Sequence, residues 1–164
     1  LLVPFKAKQL LAHLLSELNE EQISMAEAFL KELLFKNIDN PTFTDRLDLD
    51  LEKGGAGWNR LRAESFSGRV QEILSIAQKL KDDPAKSATL LAEYLITHFH
   101  LKLDQQKLLR LQTVLKMRLE SSIGQIELRK RIDARVAQDG VGLHKNTVEK
   151  VAREVEVIML LKFS

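Results

Sequence analysis

The chain has 164 residues, of which 45% are apolar and 29% charged, with no cysteine and a formal net charge of +2. These proportions exclude a disordered polymer and supply enough apolar surface for a core. The lack of cysteine excludes disulfides, thiol nucleophiles and cysteine metal sites. No apolar run approaches the roughly 18 residues of a membrane span. The opening Leu1-Leu2-Val3-Pro4 has no signal-peptide layout, and a cytoplasmic protein is the expectation. Aromatic residues make up 5% of the chain. Leu dominates the apolar set, which favours helix over sheet.

The first predicted helix covers Ala7 to Leu18, with Leu10, Leu11, Leu14, Leu15 and Leu18 at helical spacing. Asn19 caps the next, with Gln22 at the capping-box position. That second helix carries Ile23, Ala26, Leu30, Leu33 and Leu34 and stops near Lys36, before the breaker-rich Asn37-Ile38-Asp39-Asn40-Pro41. Residues 38–57 read as one long surface loop. Leu47, Leu49 and Leu51 alternate with acids there, which allows one short extended piece. Trp58 then anchors the loop on the helices.

Helical signal resumes with Leu61, Phe66, Val70, Ile73, Leu74, Ala77 and Leu80, and Ser65 and Ser67-Gly68 are expected to divide it in two. Asp82-Asp83-Pro84 starts another helix, which carries Ala88, Leu91, Leu95 and Phe99. Asp104 caps the next, with Leu108, Leu111, Leu115 and Leu119 buried. Ser121-Ser122 and Gly124 end it. The last two helices carry Leu128, Ile132 and Val136, then Val148, Val151, Val155, Ile158 and Met159. The expected fold is therefore all-α: a compact bundle of about seven helices in one domain spanning 1–164. A division into a helical hairpin, 1–37, and a helical body, 58–164, is compatible with the pattern. No internal repeat stands out.

Catalytic and metal-binding patterns are weak. Asp45, Asp48, Asp50 and Glu52 precede glycines, but a calcium loop counted from Asp48 would place Lys53 at position 6 and Asn59 at position 12, where Gly and Glu are needed. Gly54-Gly55-Ala56-Gly57 lacks the Gly-Lys-Ser/Thr of a phosphate loop. His98 and His100 are two apart, whereas zinc-binding helices use i, i+4. Glu20-Glu21 and Asp82-Asp83 sit where helices begin, which the helix dipole explains. No Gly-x-Ser-x-Gly elbow occurs. The expectation is a protein that is not an enzyme and uses no metal, cofactor or small-molecule ligand.

Charge is uneven. Between Lys102 and Arg153 there are twelve Lys/Arg and six Asp/Glu, which leaves the remainder acidic. Inside this basic half, one helical pattern runs into Gly140-Val141-Gly142 and another runs out. Three readings compete. The first is a plain helix hairpin: Gly140 ends one helix in the left-handed conformation, Asn146 caps the next, and Glu149–Arg153 and Lys150–Glu154 pair along it.

The second rests on the Gly-apolar-Gly pattern between two helices, which resembles the helix-hairpin-helix family over about 20 residues. That resemblance implies phosphate binding by the backbone at Gly140, Gly142 and Leu143, assisted by Lys145. Asn146 stands where that family has a small residue. The third rests on His144-Lys145-Asn146-Thr147-Val148, which resembles the start of a helix-turn-helix recognition helix and implies base or backbone contacts from Asn146, Lys150 and Arg153. The turn is longer than that motif's usual one, and Glu149 and Glu156 would repel phosphate.

The hairpin reading accounts for the most residues. It leaves a non-enzymatic interaction domain that binds a protein partner or self-associates through apolar helix faces. The last helix supplies the candidate partner-binding residues Ile158, Leu160, Leu161 and Phe163, because its apolar stripe widens there. Nucleic-acid binding through the joint is the alternative.

Overall fold

A computed structural model describes residues 2–14, 18–80 and 82–162. Among them are eight α-helices, two 3-10 turns and no strand. The all-helical expectation is what the chain adopts. The first helix is expected to run to Leu18; Leu18 is not helical, and residues 15–17 lie outside the described residues, as does Phe163.

Contacts divide the chain into two units, Leu1–Ser75 and Ile76–Phe163. The boundary falls within a helix rather than in the 38–57 segment. The first unit contains α1 (Leu2–Leu14), α2 (Glu20–Leu34), α3 (Asn40–Asp48), a 3-10 turn at Leu51–Lys53 and the start of α4 (Arg60–Lys79). Here α1 packs on α2, and α2 on α3. The second contains α5 (Pro84–Phe99), α6 (Gln105–Leu119), α7 (Gln125–Asp133), a 3-10 turn at Val136–Gln138 and α8 (Lys145–Lys162). There α5 packs on α6 and α8, and α7 on both α6 and α8.

Local signals set most of these boundaries. Asn19 and Gln22 form the reciprocal capping box at the start of α2. Asp83 and Asp104 cap α5 and α6 with their carboxylates. Two expectations are corrected. Residues 38–57 are not a long loop: Asp39 caps α3 by accepting from the Thr42 amide, and Pro41 sits in its first turn, where its missing N–H is tolerated. The alternation of leucines and acids there spans a helix end and a 3-10 turn: Leu47 lies in the last turn of α3, Leu49 is its C-cap and Leu51 opens the turn. Nor is α4 broken at Ser65–Gly68. Ser67 is buried, its hydroxyl lies 2.7 Å from that of Thr44, and it donates to the Glu64 carbonyl.

The absence of a repeat is also corrected. Every element from α2 to the start of α4 recurs 85 positions later with the same length: α2 as α6, α3 as α7, and one 3-10 turn as the other. Left-handed residues recur too, Lys36 as Ser121, Gly54 as Asp139 and Gly57 as Gly142. Core positions match in the same register. Leu10 and Leu95, Leu30 and Leu115, Leu47 and Ile132, Val70 and Val155, and Ile73 and Ile158 are all buried.

Volume is distributed differently in the two cores. The first unit sets Phe29, Phe43 and Phe66 among Ala26, Ala56 and Ala63. The second has Val114, Leu128 and Val151 among Leu111, Val141 and Val148 at the same positions. Large residues facing small ones and medium residues throughout fill similar space, so one backbone accepts both sets.

The repeat makes the caps comparable. Asp39 corresponds to Gly124, the N-cap of α7, which has extended backbone, no side-chain cap bond and open space around its Cβ position. Gly124→Asp should therefore stabilise the second unit by about 0.5–1 kcal/mol in urea titrations, through a new cap and a less flexible unfolded chain.

Asp39 itself accepts hydrogen bonds from the Thr42 side chain and amide, which hold its carboxyl below the ordinary value. A lowered folded-state pKa contributes stability above the unfolded value, about 3.9, and loses it as pH falls through the folded one. The Tm difference between the wild type and Asp39→Ala should accordingly be present at neutral pH and shrink below about pH 4.

Candidate functional site

The Gly-Val-Gly joint between α7 and α8 is held by its own backbone. Gly140 N–H donates to Arg135 O at 3.0 Å, Val141 N–H to Arg131 O at 3.0 Å, and Leu143 N–H to Ile132 O at 3.1 Å. The first unit forms the same bonds 85 positions earlier: Gly55 N–H to Asp50 O at 2.9 Å, Ala56 N–H to Arg46 O at 3.1 Å, and Trp58 N–H to Leu47 O at 2.8 Å. Of the three backbone positions implied by the helix-hairpin-helix resemblance, Gly140 and Leu143 thus have their amides spent on the preceding helix and turn, while Gly142 makes no such bond among the described residues.

Both glycines of the joint have structural causes. A Cβ on Gly140 would lie 2.0 Å from Ala134 O, and one on Gly55 would lie 2.1 Å from Leu49 O. Gly57 and Gly142 each have φ +73°, a conformation open to glycine. The left-handed residue ending the 3-10 turn is Asp139 rather than Gly140. Gly140 is needed instead for close approach to Ala134 O.

Different side chains brace the two joints. In the second unit the Arg110 guanidinium donates to the carbonyls of Val136 and Gly140, the latter at 3.1 Å, and lies 3.6 Å from the Asp139 carboxylate. Position 25, the counterpart of Arg110, is Met. There Gln22 Nε2 donates to Gly57 O at 3.1 Å, and the Trp58 indole N–H to Gln22 O at 3.3 Å. Trp58 is buried edge-on against Phe66, as its anchoring role requires.

Lys145, Asn146, Lys150 and Arg153 are exposed on α8, and Gly142 and Leu143 are half-buried. The cap differs from the expected one. Asn146 lies inside the helix, and its amide donates to His144 Nδ1 at 3.3 Å. The His144 carbonyl accepts from Thr147 and Val148. The two expected pairs along α8 are also replaced. Glu149 pairs with Arg129 at 3.1 Å, and the buried Glu154 accepts from the Tyr94 hydroxyl at 2.6 Å.

Much of the basic half is likewise engaged. Arg118 binds Glu156 through two hydrogen bonds of 2.8 and 2.6 Å, Arg131 pairs with Glu127, and Lys116 with Glu120. Of the four apolar candidates on the terminal helix, Ile158 and Leu161 are buried in the second unit and Leu160 is half-buried.

In the first unit, the acids before the glycines surround a cation of the chain itself. Arg60 lies 2.8 Å from Asp45, 3.5 Å from Asp48 and 3.0 Å from Glu64. Hydrogen bonds from Arg60 to Asp45 and Glu64 raise the guanidinium pKa above its ordinary value. His98 stacks on Tyr94, while His100 is the left-handed C-cap of α5. Among the described residues no three His, Asp or Glu side chains form a group that could hold a metal, and no helix is long and apolar enough to cross a membrane. Comparison with protein-family models, curated proteins and solved structures finds no match to the chain.

Sequence reasoning left Arg110 unassigned because its partners are carbonyls 26 and 30 positions away. A readable signal for the joint did exist. Arg46-Leu47-Asp48 precedes Gly55-Ala56-Gly57 at the same spacing as Arg131-Ile132-Asp133 precedes Gly140-Val141-Gly142.

Two substitutions test this account. Gly140→Ala should cost at least about 2 kcal/mol in denaturant unfolding, since the obstacle is backbone. Arg110→Met, which installs the residue of the first unit, should cost about 1.5–3 kcal/mol by leaving two carbonyls without their charged donor.

Proposed function

We propose that the chain is a non-enzymatic interaction module that binds protein, either a separate partner or another copy of itself. The observation that supports this reading is the engagement of two of the joint's three implied amides, with Gly142 left over. The Gly140 and Leu143 amides are spent on backbone carbonyls, and the nearby Arg110 guanidinium is spent on the joint's own carbonyls. The corresponding bonds in the first unit, beside an acidic α3, support a structural origin for the Gly-x-Gly pattern.

Exposed apolar side chains supply contact area of the kind protein interfaces use. Leu61 is 80% exposed and Ile126 66%, and Phe5, Phe35 and Leu109 are also exposed. The apolar end of α8 is a poor source of such a surface, since Ile158 and Leu161 already serve the core.

Fluorescence anisotropy with labelled duplex and single-stranded DNA tests the reading against its nucleic-acid alternative. No binding is expected at about 50 mM salt, where phosphate-driven affinity is strong. Binding that weakens steeply towards about 200 mM salt, and that is lost in Lys145→Glu/Lys150→Glu, would establish the alternative.

A further inference from the structure

The repeat places equivalent surfaces on the two units, and their charges are opposed. Leu1–Ser75 contains nine Lys/Arg and twelve Asp/Glu, whereas Ile76–Phe163 contains sixteen and eleven. The contrast reaches two individual positions of these surfaces, while Arg46 and Arg131, and Asp48 and Asp133, keep their sign. Asp45 on α3 corresponds to Lys130 on α7, and Asp50 before one 3-10 turn corresponds to Arg135 before the other. All four side chains are exposed. Asp50, Lys130 and Arg135 have no ion pair or hydrogen bond through their side chains among the described residues.

The basic face also carries an exposed apolar residue. On α7, Ile126 lies one turn before Lys130 on the same side of the helix. In the first unit, the Arg60 guanidinium reaches Asp45 and Asp48, which leaves Asp50 as the unpaired acid of that surface among the described residues.

We propose that the acidic α3 face of one copy docks on the basic α7 face of a second copy. This rests on the protein-binding reading and names the partner. Charge complementarity selects this pairing. Two acidic faces repel one another, as do two basic faces, so contacts between identical surfaces are disfavoured and the acid-to-base contact remains. Such a contact is heterologous. Each copy keeps a free face of each sign, and association continues beyond a dimer unless the rotation closes a ring. Ile126 adds an apolar residue on the α7 side of the contact, and the charges set its orientation and salt dependence.

The test uses light scattering of the whole chain over a range of concentrations. The wild type should gain mass with concentration at about 50 mM salt and lose that gain at about 500 mM, where charges are screened within a few ångströms. Asp45→Lys/Asp50→Lys makes both faces basic, and Lys130→Glu/Arg135→Glu makes both acidic. Each variant alone should stay monomeric under conditions where the wild type associates, and an equimolar mixture should associate again. The recovery excludes misfolding as the cause of the loss.

A wild type that is monomeric at every concentration in low salt overturns the second-copy assignment, as does a mixture that stays monomeric. Either result leaves the protein-binding reading to the DNA titration. DNA binding by the wild type that Lys130→Glu/Arg135→Glu abolishes would overturn both.

Discussion

At Gly55 and at Gly140 the backbone passes so close to the carbonyl six positions earlier that no β-carbon fits between them. That approach fixes the rest of each unit. It brings the following amides onto the carbonyls at the end of α3 or α7, which sets where α4 or α8 can begin. The 3-10 turn in each unit is the length of chain needed to reach that point. Each unit is thus a set of helices indexed to one backbone contact.

The indexing explains how two units with few identical residues keep the same element lengths. Bonds between main-chain groups do not depend on side-chain identity, so the side chains around the joint were free to change. Its brace is an arginine in one unit and a glutamine with a tryptophan in the other. The cores changed by exchange of volume, with phenylalanines and alanines in one and valines and leucines in the other. Neither change moves the backbone as long as the summed volume holds.

Helix type and most starts were legible in the sequence because their causes are local. Asn19, Asp83 and Asp104 cap helices within three residues of themselves, and the leucine spacing of α2 and α6 is a short-range pattern. What escaped was of longer range or compensated. Alpha-helix α3 is too short to show a full hydrophobic stripe, and its leucines run into a 3-10 turn of different period. The buried Ser67 looks like a breaker until Thr44 is placed beside it. Glu149 and Glu154 look like partners for Arg153 and Lys150 by spacing along α8, yet better placed groups, Arg129 and Tyr94, come from other helices. The repeat was hidden by the core exchange itself. At position 66 and its counterpart 151, Phe and Val share burial but not identity. Gly-x-Gly was visible as a motif, whereas its meaning required knowing that the Gly140, Val141 and Leu143 amides already had acceptors.

A frame fixed by main-chain bonds and core volume leaves the surface unconstrained by folding. Positions 45 and 130 sit at the same point of α3 and α7, exposed in both, and exchanging acid for base there removes no core contact. Surface charge can therefore diverge between the units at little cost in stability, in contrast to Gly55 or Gly140, where any side chain collides with backbone. The excess of acid lies in the first unit and that of base in the second, and at two corresponding exposed positions, 45 with 130 and 50 with 135, the sign inverts. Two like-charged copies of one face repel when brought together, while an acidic and a basic copy attract. On the proposed pairing, segregation of sign over a repeated shape would give a scaffold that alone favours no pairing a preferred direction of contact.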